Sequence, residues 1–245
     1  MPFLDIQSIT KRFGGLKAVD NFSFSTPKGS LTAIIGPNGC GKSTLFNLIS
    51  GTFSPTSGTL YLDGEDITSL DAQEIARRGV GRKFQVPAIF PELSVFENLK
   101  VPTLSPAFKK RSTTKKRSLD DILSFIRLTE KKDISAETLS HGEKQWLEIG
   151  MILAQAPSLI LLDEPTAGMT ATETSATAEL IKDISRGGDI TILVIEHDIG
   201  FIKQLDCPLT VMSKGKILKS GSFQSIRADM EVQELYFGKG ITPHA

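Results

Sequence analysis

Apolar residues along the chain follow two different spacings, and each spacing predicts a different kind of strand. Alternating apolar and polar residues occupy 3–9, 18–24 and 59–62. Such alternation predicts antiparallel strands that bury one face. Continuous apolar runs occupy 31–35, 159–162 and 190–195. These runs predict parallel strands that are buried on both faces. The chain is therefore predicted to have an α/β fold with a mainly parallel sheet and a separate antiparallel β subdomain.

Helices and one hairpin complete the predicted order of elements. Helix-compatible segments occupy 44–50, 71–78, 94–99, 119–128, 173–185 and 232–237. The segments 209–212 and 216–219 flank Lys214-Gly215, which predicts a hairpin. Between Gln85 and Leu139 the character of the chain changes, since prolines interrupt it repeatedly. We interpret about residues 86–155 as an inserted helical subdomain within a single domain of residues 1–245.

A glycine-rich motif, GPNGCGKST, lies between a predicted buried strand and a predicted helix. It matches the phosphate-loop pattern G-x-x-x-x-G-K-[ST]. Glycines let successive backbone N–H groups turn toward phosphates, and the helix N-terminus adds its positive dipole end. Lys42 then supplies charge, and Ser43 supplies a magnesium ligand. We predict a core of the phosphate-loop nucleotide hydrolase type, with nucleotide bound by Gly36, Pro37, Asn38, Gly39, Cys40, Gly41, Lys42, Ser43 and Thr44.

Carboxylates and a histidine follow two predicted buried strands. Asp163 and Glu164 end the run LILLDE, and adjacent side chains at a strand end point in different directions. Asp163 is predicted to hold magnesium through its water shell opposite Ser43, which leaves Glu164 to polarise the attacking water. The segment 191–197 predicts a second strand, which ends in Glu196-His197. The His197 imidazole would contact the γ-phosphate or that water.

The segment 139–150, LSHGEKQWLEIG, predicts the start of a helix. Ser140 and Glu143 match the S-x-x-E capping box. A helix start with a serine hydroxyl and a glycine also suits an anion. The two readings are compatible, because the cap would hold the helix end until a phosphate replaces it.

Composition narrows the class of protein. The 245 residues are 40% hydrophobic and 23% charged, which excludes fibrous and disordered chains. Acidic and basic residues balance at 28 each, so we expect no nucleic acid partner. Two cysteines fit a reducing compartment. Residues 1–10 lack the features of a signal peptide and no apolar run reaches 18 residues, so we expect a cytoplasmic protein that does not cross a membrane.

Taken together, the phosphate loop, Gln85, LSHGE, LILLDE and His197 resemble the ATP-binding subunit of an ABC transporter, in the same order. The resemblance covers essentially the whole chain. It implies ATP and Mg²⁺ as ligands, with Phe13 stacked on adenine. Gln85 would contact magnesium, take part in catalysis and link the site to a membrane subunit. Ser140, His141, Gly142 and Glu143 would bind the ATP held by a partner subunit.

The resemblance also implies an assembly. Two ATP-binding subunits, the second a sister chain, would close on two ATP molecules and open after hydrolysis, which would move two transmembrane permease subunits. A solute-binding protein would act with them indirectly. The chain would then lie peripherally on the inner face of the cell membrane.

Finer resemblance points to the branch that serves branched-chain amino acid and urea importers. The stretches GRKFQ, LSHGEKQWLEIGM, DEPTAGMT and VIEHD look closest to the urea type. Uptake of urea or short amides is therefore the first expectation, with branched-chain amino acids as the alternative. Glu143 departs from the general family pattern, which has a glutamine there, and also from the urea type. Its charge would repel phosphate unless the helix dipole or Lys144 offsets it.

Other readings remain open at this stage. A soluble ABC-type ATPase without a permease would usually carry a long coiled-coil insertion or a second such domain, and neither is present. A pure ATP-binding switch is opposed by Glu164 and His197. Apolar residues at 86–99 suit either a surface for the permease or the core of the helical subdomain. The basic cluster suits a solvated arm better than a phosphate contact, and comprises Lys109, Lys110, Arg111, Lys115, Lys116 and Arg117.

Overall fold

Two β-sheets frame the structure, a computed structural model that describes residues 2–83, 88–104 and 117–237. The strands of the described residues are β1 (Leu4–Phe13), β2 (Leu16–Thr26), β3 (Leu31–Ile35), β4 (Ser57–Leu62), β5 (Glu65–Asp66), β6 (Val80–Lys83), β7 (Leu159–Asp163), β8 (Thr191–Ile195), β9 (Leu209–Ser213) and β10 (Lys216–Gly221). The α-helices are α1 (Lys42–Ile49), α2 (Ala72–Arg77), α3 (Val95–Lys100), α4 (Leu119–Phe125), α5 (His141–Leu153), α6 (Ala171–Arg186), α7 (Ile199–Leu205), α8 (Phe223–Arg227) and α9 (Met230–Phe237).

The antiparallel sheet has the strand order β2-β1-β4-β5. Its strands β1 and β2 pair from Leu4 opposite Thr26 to Phe13 opposite Leu16. Leu4 and Ile6 are buried while Asp5 and Gln7 lie on the other, more exposed face. The predicted alternation is therefore confirmed, although the strands extend beyond its bounds.

The second sheet has the order β10-β9-β3-β8-β7-β6. Its strands β9, β3, β8, β7 and β6 run parallel, and β10 joins β9 as an antiparallel hairpin at the edge. The predicted buried runs form β3, β7 and β8, and the predicted hairpin is confirmed. Because these strands are parallel and adjacent, their carboxyl ends meet at one edge, where Asp163 and the residues after Ile195 lie.

Hydrophobic packing on both faces explains why these strands are continuously apolar. Along β7, Leu159 and Leu161 belong to one core cluster, while Ile160 and Leu162 belong to the other. The first cluster includes α1 and the buried face of the antiparallel sheet, so α1 lies between the sheets. The second cluster includes side chains from α3 to α9. Burial on both faces therefore holds the strand ends at fixed positions.

Helices α3, α4 and α5 lie within the residues that we interpret as a helical subdomain, and the boundaries of that subdomain stay a prediction. A Cβ added to Gly150 of α5 would lie 2.7 Å from Ile126 Cδ1 and 2.9 Å from Leu99 Cδ2, so this glycine permits close packing of the helices. The helix predicted over 119–128 ends at Phe125, because Arg127 has a φ of +61°.

The sequence prediction gave no bounds for strands β5 and β6 or for helices α7 and α8. Strand β6 reads VGRK, which lacks an apolar pattern, and the short helices α7 and α8 begin at the N-caps Asp198 and Ser222. The strand predicted over 191–197 ends at Ile195, since Asp198 already caps the following helix. Within the described parts of the chain, no helix combines the length and apolar character needed to span a bilayer.

Candidate functional site

The phosphate loop connects the carboxyl end of β3 to the start of α1. A Cβ at Gly36 would lie 2.2 Å from Met212 O, and a Cβ at Gly41 would lie 2.1 Å from Ala18 O. Gly41 also has a φ of +108°. Only glycine fits two such close approaches, since a real Cβ contact is never this short. The loop is therefore clamped between β2 and the β9–β10 hairpin.

The N-terminus of α1 carries no cap of its own. Gly41, its N-cap residue, makes no side-chain hydrogen bond, and the first turn contains no acidic residue. Lys42 is only 7% exposed, and its Nζ donates to Gly36 O (2.7 Å) and Pro37 O (3.1 Å). The ammonium group is thereby held inside the loop. An uncapped helix start beside a fixed cation is suited to an anionic phosphate.

A cleft of about 720 Å³ opens beside this helix start. The residues predicted from the sequence that line it are Phe13, Asn38, Gly39, Gly41, Lys42, Ser43, Thr44 and Glu164. Phe13 is 43% exposed, its ring meets the Phe53 ring edge to face at 5.4 Å, and Lys11 Nζ lies 5.2 Å from its centre. The exposed aromatic ring at the cleft suits a planar base. Burial raises the pKa of the Cys40 thiol within the loop, so this cysteine is a poor nucleophile.

Two lysines of the cleft were not singled out from the sequence. Lys17 on β2 and Lys214 in the β9–β10 turn both line it. The turn contacts the loop directly, because Gly215 N donates to Cys40 O at 2.9 Å. The Lys214-Gly215 pair predicted a hairpin from the sequence, but it did not indicate that this turn contacts the phosphate loop. Lys17 is paired with Asp20 Oδ1 at 2.9 Å, so Lys214 is the lysine of these two that adds charge to the rim of the cleft.

Asp163, the last residue of β7, presents a buried carboxylate toward the same end of the sheet. It is 3% exposed, and its Oδ2 lies 3.5 Å from the Arg82 guanidinium. Burial raises the pKa of Asp163, and Arg82 opposes that rise. Its Oδ1 is buried without a hydrogen-bond partner among the described residues. A buried carboxylate oxygen without a donor suits a magnesium-bound water, so the Asp163 and Ser43 oxygens fit the predicted ion.

Arg82 was not identified as a site residue from the sequence. Its guanidinium donates to Asn47 Oδ1 (2.6 Å) and Ser50 Oγ (2.9 Å) at the end of α1, besides approaching Asp163. It thus joins β6, α1 and β7. The sequence showed it only as part of the stretch GRKFQ. Its partners lie 32 or more positions away, which no local pattern reveals.

Glu164 and His197 approach each other although 33 positions separate them in the chain. His197 Nδ1 lies 3.5 Å from Glu164 Oε1. Glu164 adopts a φ of +48°, and its N–H donates to Ile195 O at 2.9 Å. This turn directs its side chain to the cleft that Lys42 and Ser43 line. A carboxylate and an imidazole so placed can orient a water and accept its proton.

The start of α5 has the predicted capping box. Ser140 Oγ accepts from Glu143 N (3.2 Å), and Glu143 Oε2 accepts from Ser140 N (3.0 Å). Lys131 Nζ lies 2.6 Å from Glu143 Oε1, so the compensating cation is Lys131 and not Lys144, which was suggested from the sequence. Burial alone would raise the pKa of Glu143, but hydrogen bonds from Lys131 and from the Ser140 backbone lower it on balance.

A further carboxylate, that of Glu173 on α6, reaches the same helix start. Ser140 Oγ donates to Glu173 Oε1 at 3.2 Å, and a Cβ at Gly142 would lie 2.4 Å from that oxygen. His141 Nε2 donates to Ala167 O at 2.9 Å. None of the four signature residues, Ser140 to Glu143, lines the cleft beside Lys42. A single subunit therefore does not bring the two halves of the predicted ATP site together.

Some predicted residues lie outside the described part of the chain, and the apolar residues of 86–99 differ in burial. Gln85 and five residues of the basic cluster lie outside the described residues; the sixth, Arg117, sits 4.7 Å from the centre of the Phe125 ring. Within the described part of 86–99, Val95 and Leu99 are fully buried, whereas Phe90 is 46% exposed. This apolar segment therefore contains both core and surface residues.

Comparison with known proteins gives consistent matches. The family model described as "ABC transporter" matches residues 19–167. The chain is 34% identical to the high-affinity branched-chain amino acid transport ATP-binding protein BraF of Pseudomonas aeruginosa, over 97% of this chain and 98% of BraF.

Solved structures resemble it over most of its length. The ADP conformation of MJ1267, an ATP-binding cassette of an ABC transporter, has a TM-score of 0.86 and 34% identity, covering 98% of this chain and all of that one. The dimeric structure of MJ0796, a bacterial ABC transporter cassette, has a TM-score of 0.76 and 25% identity, covering 90% and 98%. The fold and the motif order thus lead to the same group of proteins.

Proposed function

The chain belongs to the ABC transporter family as an ATP-binding subunit with ATPase activity, and from that premise we propose that it drives uptake of branched-chain amino acids. The similarity to BraF over nearly the full length of both proteins carries this proposal. Urea was the first expectation from the sequence, on the basis of a few short stretches. The named relative instead transports branched-chain amino acids, so this alternative has the better support.

In the proposed mechanism, the subunit positions ATP with residues from three parts of the chain. Phe13 stacks on the base, the loop N–H groups and Lys42 bind the phosphates, and Ser43 and Asp163 hold magnesium. When bound, magnesium would neutralise charge on the phosphates. Glu164 orients the attacking water and takes its proton, and the adjacent His197 contacts the γ-phosphate or that water. Gln85, which is not among the described residues, is proposed to contact magnesium and to link the site to the permease.

The assembly we propose contains a second ATP-binding subunit, since the signature residues Ser140 to Glu143 do not reach the cleft of their own chain. In a dimer they would meet the partner's ATP, and a related cassette has been crystallised as a dimer. Two permease subunits and a solute-binding protein complete the importer, with the chain on the inner face of the membrane. Within the described part of 86–99, we propose that the exposed Phe90 contacts a permease.

Purification from detergent-solubilised native membranes tests this proposal. Mass spectrometry should recover two polytopic subunits, a sister ATPase and a solute-binding protein. The solute-binding protein should bind leucine and not urea. Its leucine-bound form should stimulate ATP hydrolysis by the reconstituted complex. The same complex with Glu164→Gln serves as the hydrolysis-deficient control. If the solute-binding protein binds urea and not leucine, the proposed solute is wrong. If the chain is recovered only with ribosomal or assembly proteins, the transport role is overturned.

A further inference from the structure

Glu196, between β8 and His197, carries a carboxylate in the interior of the protein. The residue is only 1% exposed. A buried charge is costly unless hydrogen bonds or opposite charges compensate it. The mechanism above assigns Glu196 no role, since it does not line the nucleotide cleft. The burial of this carboxylate therefore needs another physical reason.

Both oxygens of this carboxylate are used, and each binds a different segment. Oε1 accepts from Thr166 Oγ1 (2.6 Å) and Thr166 N (3.2 Å). Oε2 accepts from His197 N (3.0 Å) and Asp198 N (3.4 Å). Thr166 lies two positions after Glu164. One carboxylate thus joins the segment that carries Glu164 to the segment that begins with His197.

The pair that Glu196 joins combines an exposed ring with an unusual backbone conformation. The His197 side chain is 58% exposed, and its Nδ1 lies 3.5 Å from Glu164 Oε1 and 3.8 Å from Glu196 Oε2, so the two carboxylates flank the ring where packing does not hold it. Glu164 has a φ of +48°, an uncommon conformation for a residue other than glycine. Such a conformation persists where surrounding contacts enforce it. Hydrogen bonds on both sides of the pair can provide that enforcement.

We propose that Glu196 is a positioning residue for ATP hydrolysis: by joining Thr166 to the backbone of His197, it holds Glu164 and His197 in contact. Its role is to hold other groups in place, since it does not line the nucleotide cleft. The proposal rests on the roles proposed above for Glu164 and His197. It is independent of the transported solute, because the ATPase rate reports on it directly.

The test compares kcat and KM for ATP in variants of the full chain, assembled with its partner subunits. Glu196→Gln should lower kcat about tenfold or more, because a misplaced catalytic group costs up to about 100-fold in rate. KM for ATP should stay within about twofold, since Phe13, the loop and Lys42 are untouched. Thr166→Val removes one donor and should lower kcat less, whereas Thr166→Ser keeps the hydroxyl and should restore most of the rate.

A matched control separates positioning from stability. Thr210 is also a buried threonine, and its Oγ1 lies 3.1 Å from Ser220 Oγ in the β9–β10 hairpin. Thr210→Val should lower the melting temperature about as much as Thr166→Val but leave kcat unchanged. If Glu196→Gln does not fold, the Thr166→Val and Thr166→Ser pair decides the question.

A double-mutant cycle with His197→Ala completes the design. If Glu196 acts through the pair, Glu196→Gln should cost much less in kcat when His197 is already absent. The proposal is overturned if Glu196→Gln keeps kcat within twofold, or if kcat falls in the Thr210 control as it does in Thr166→Val. If Glu164→Gln keeps wild-type turnover, the assigned chemistry is wrong, and this result is distinct from a failure of Glu196 alone.

Discussion

Two helix N-termini of this protein are expected to meet phosphates, and they are built in opposite ways. The start of α1 has no side-chain cap and no acidic residue in its first turn. The start of α5 has a complete capping box between Ser140 and Glu143, and the Glu173 carboxylate also accepts a hydrogen bond from Ser140. The first helix end offers its N–H groups to a ligand, whereas the second satisfies them within the chain.

This difference indicates how the two sites are used. Free N–H groups and the buried Lys42 make the α1 end a preformed anion site. At the α5 end, a phosphate has to displace the capping box and is repelled by the Glu173 carboxylate, whereas Lys131 offsets the charge of Glu143. We therefore expect the α1 end to bind nucleotide in a single subunit, and the α5 end to do so only when a partner presents ATP.

The largest expected effect comes from removing the cation at the α1 end. Lys42→Met should lower ATP hydrolysis by about 100-fold or more, because a positive clamp on the transferred phosphoryl group is lost. Nucleotide binding by titration and the steady-state ATPase rate measure this. Lys182→Met is the control, since Lys182 pairs with Glu179 on α6. Retention of the rate within tenfold would contradict the assignment of Lys42.

A second substitution changes the shape of the same helix start. Gly41→Ala should weaken nucleotide binding about tenfold and destabilise the fold by about 1–3 kcal/mol, because the new Cβ overlaps Ala18 O. Gly64→Ala is the matched control: it also has a positive φ, of +80°, but no atom within 4 Å of a Cβ. Melting curves and titrations compare the two. Equal effects would mean that backbone strain, and not the close approach, explains the result.

At the α5 end, removing the Glu173 charge should strengthen binding of the ATP that the partner subunit holds. Glu173→Gln keeps the length of the side chain but removes the repulsion, which is worth a factor of about two to five in affinity. ATP-dependent dimerisation, measured by sedimentation in a Glu164→Gln background, should strengthen by that factor. Glu179→Gln, on the same helix, should leave it unchanged. Weaker dimerisation in Glu173→Gln would show that the charge supports the interface.

The smallest effect is expected for Glu143→Gln. Glutamine also completes a capping box, so only the ion pair with Lys131 is lost, at a cost of about 0.5 kcal/mol. The ATPase rate should change by no more than several-fold. A complete loss of turnover or a hundred-fold gain would refute this interpretation of Glu143.

The pH dependence of stability offers a further measurement on the same pair. Since the pKa of folded Glu143 is below its ordinary value of 4.5, its stabilising contribution is present above pH 4.5 and disappears as the pH falls through the lower folded pKa. The difference in unfolding free energy between wild type and Glu143→Gln should therefore shrink on acidification.

Much of the fold was predictable because its strands are strongly patterned. The runs at β3 and β7 were located to within one residue, and the hairpin of β9 and β10 to within two. Strand β6 was not located, because it ends at Lys83, a charged residue that is nevertheless fully buried. Glu148 on α5 lies 3.9 Å from its Nζ, and that compensation is invisible in a local pattern. Burial of a charge depends on a partner that only the fold supplies.

The sequence by itself determined the local chemistry of this protein: the phosphate loop, the capping box of α5, and the carboxylates that follow β7. Each of these features lies within one short, continuous segment of the chain, so spacing alone encodes it. The tertiary structure decided which groups meet across the chain: Arg82 with Asp163, Thr166 with Glu196, and Ser140 with Glu173. Those contacts follow from the strand order β3-β8-β7-β6 and from helix packing, which bring together residues 30 or more positions apart.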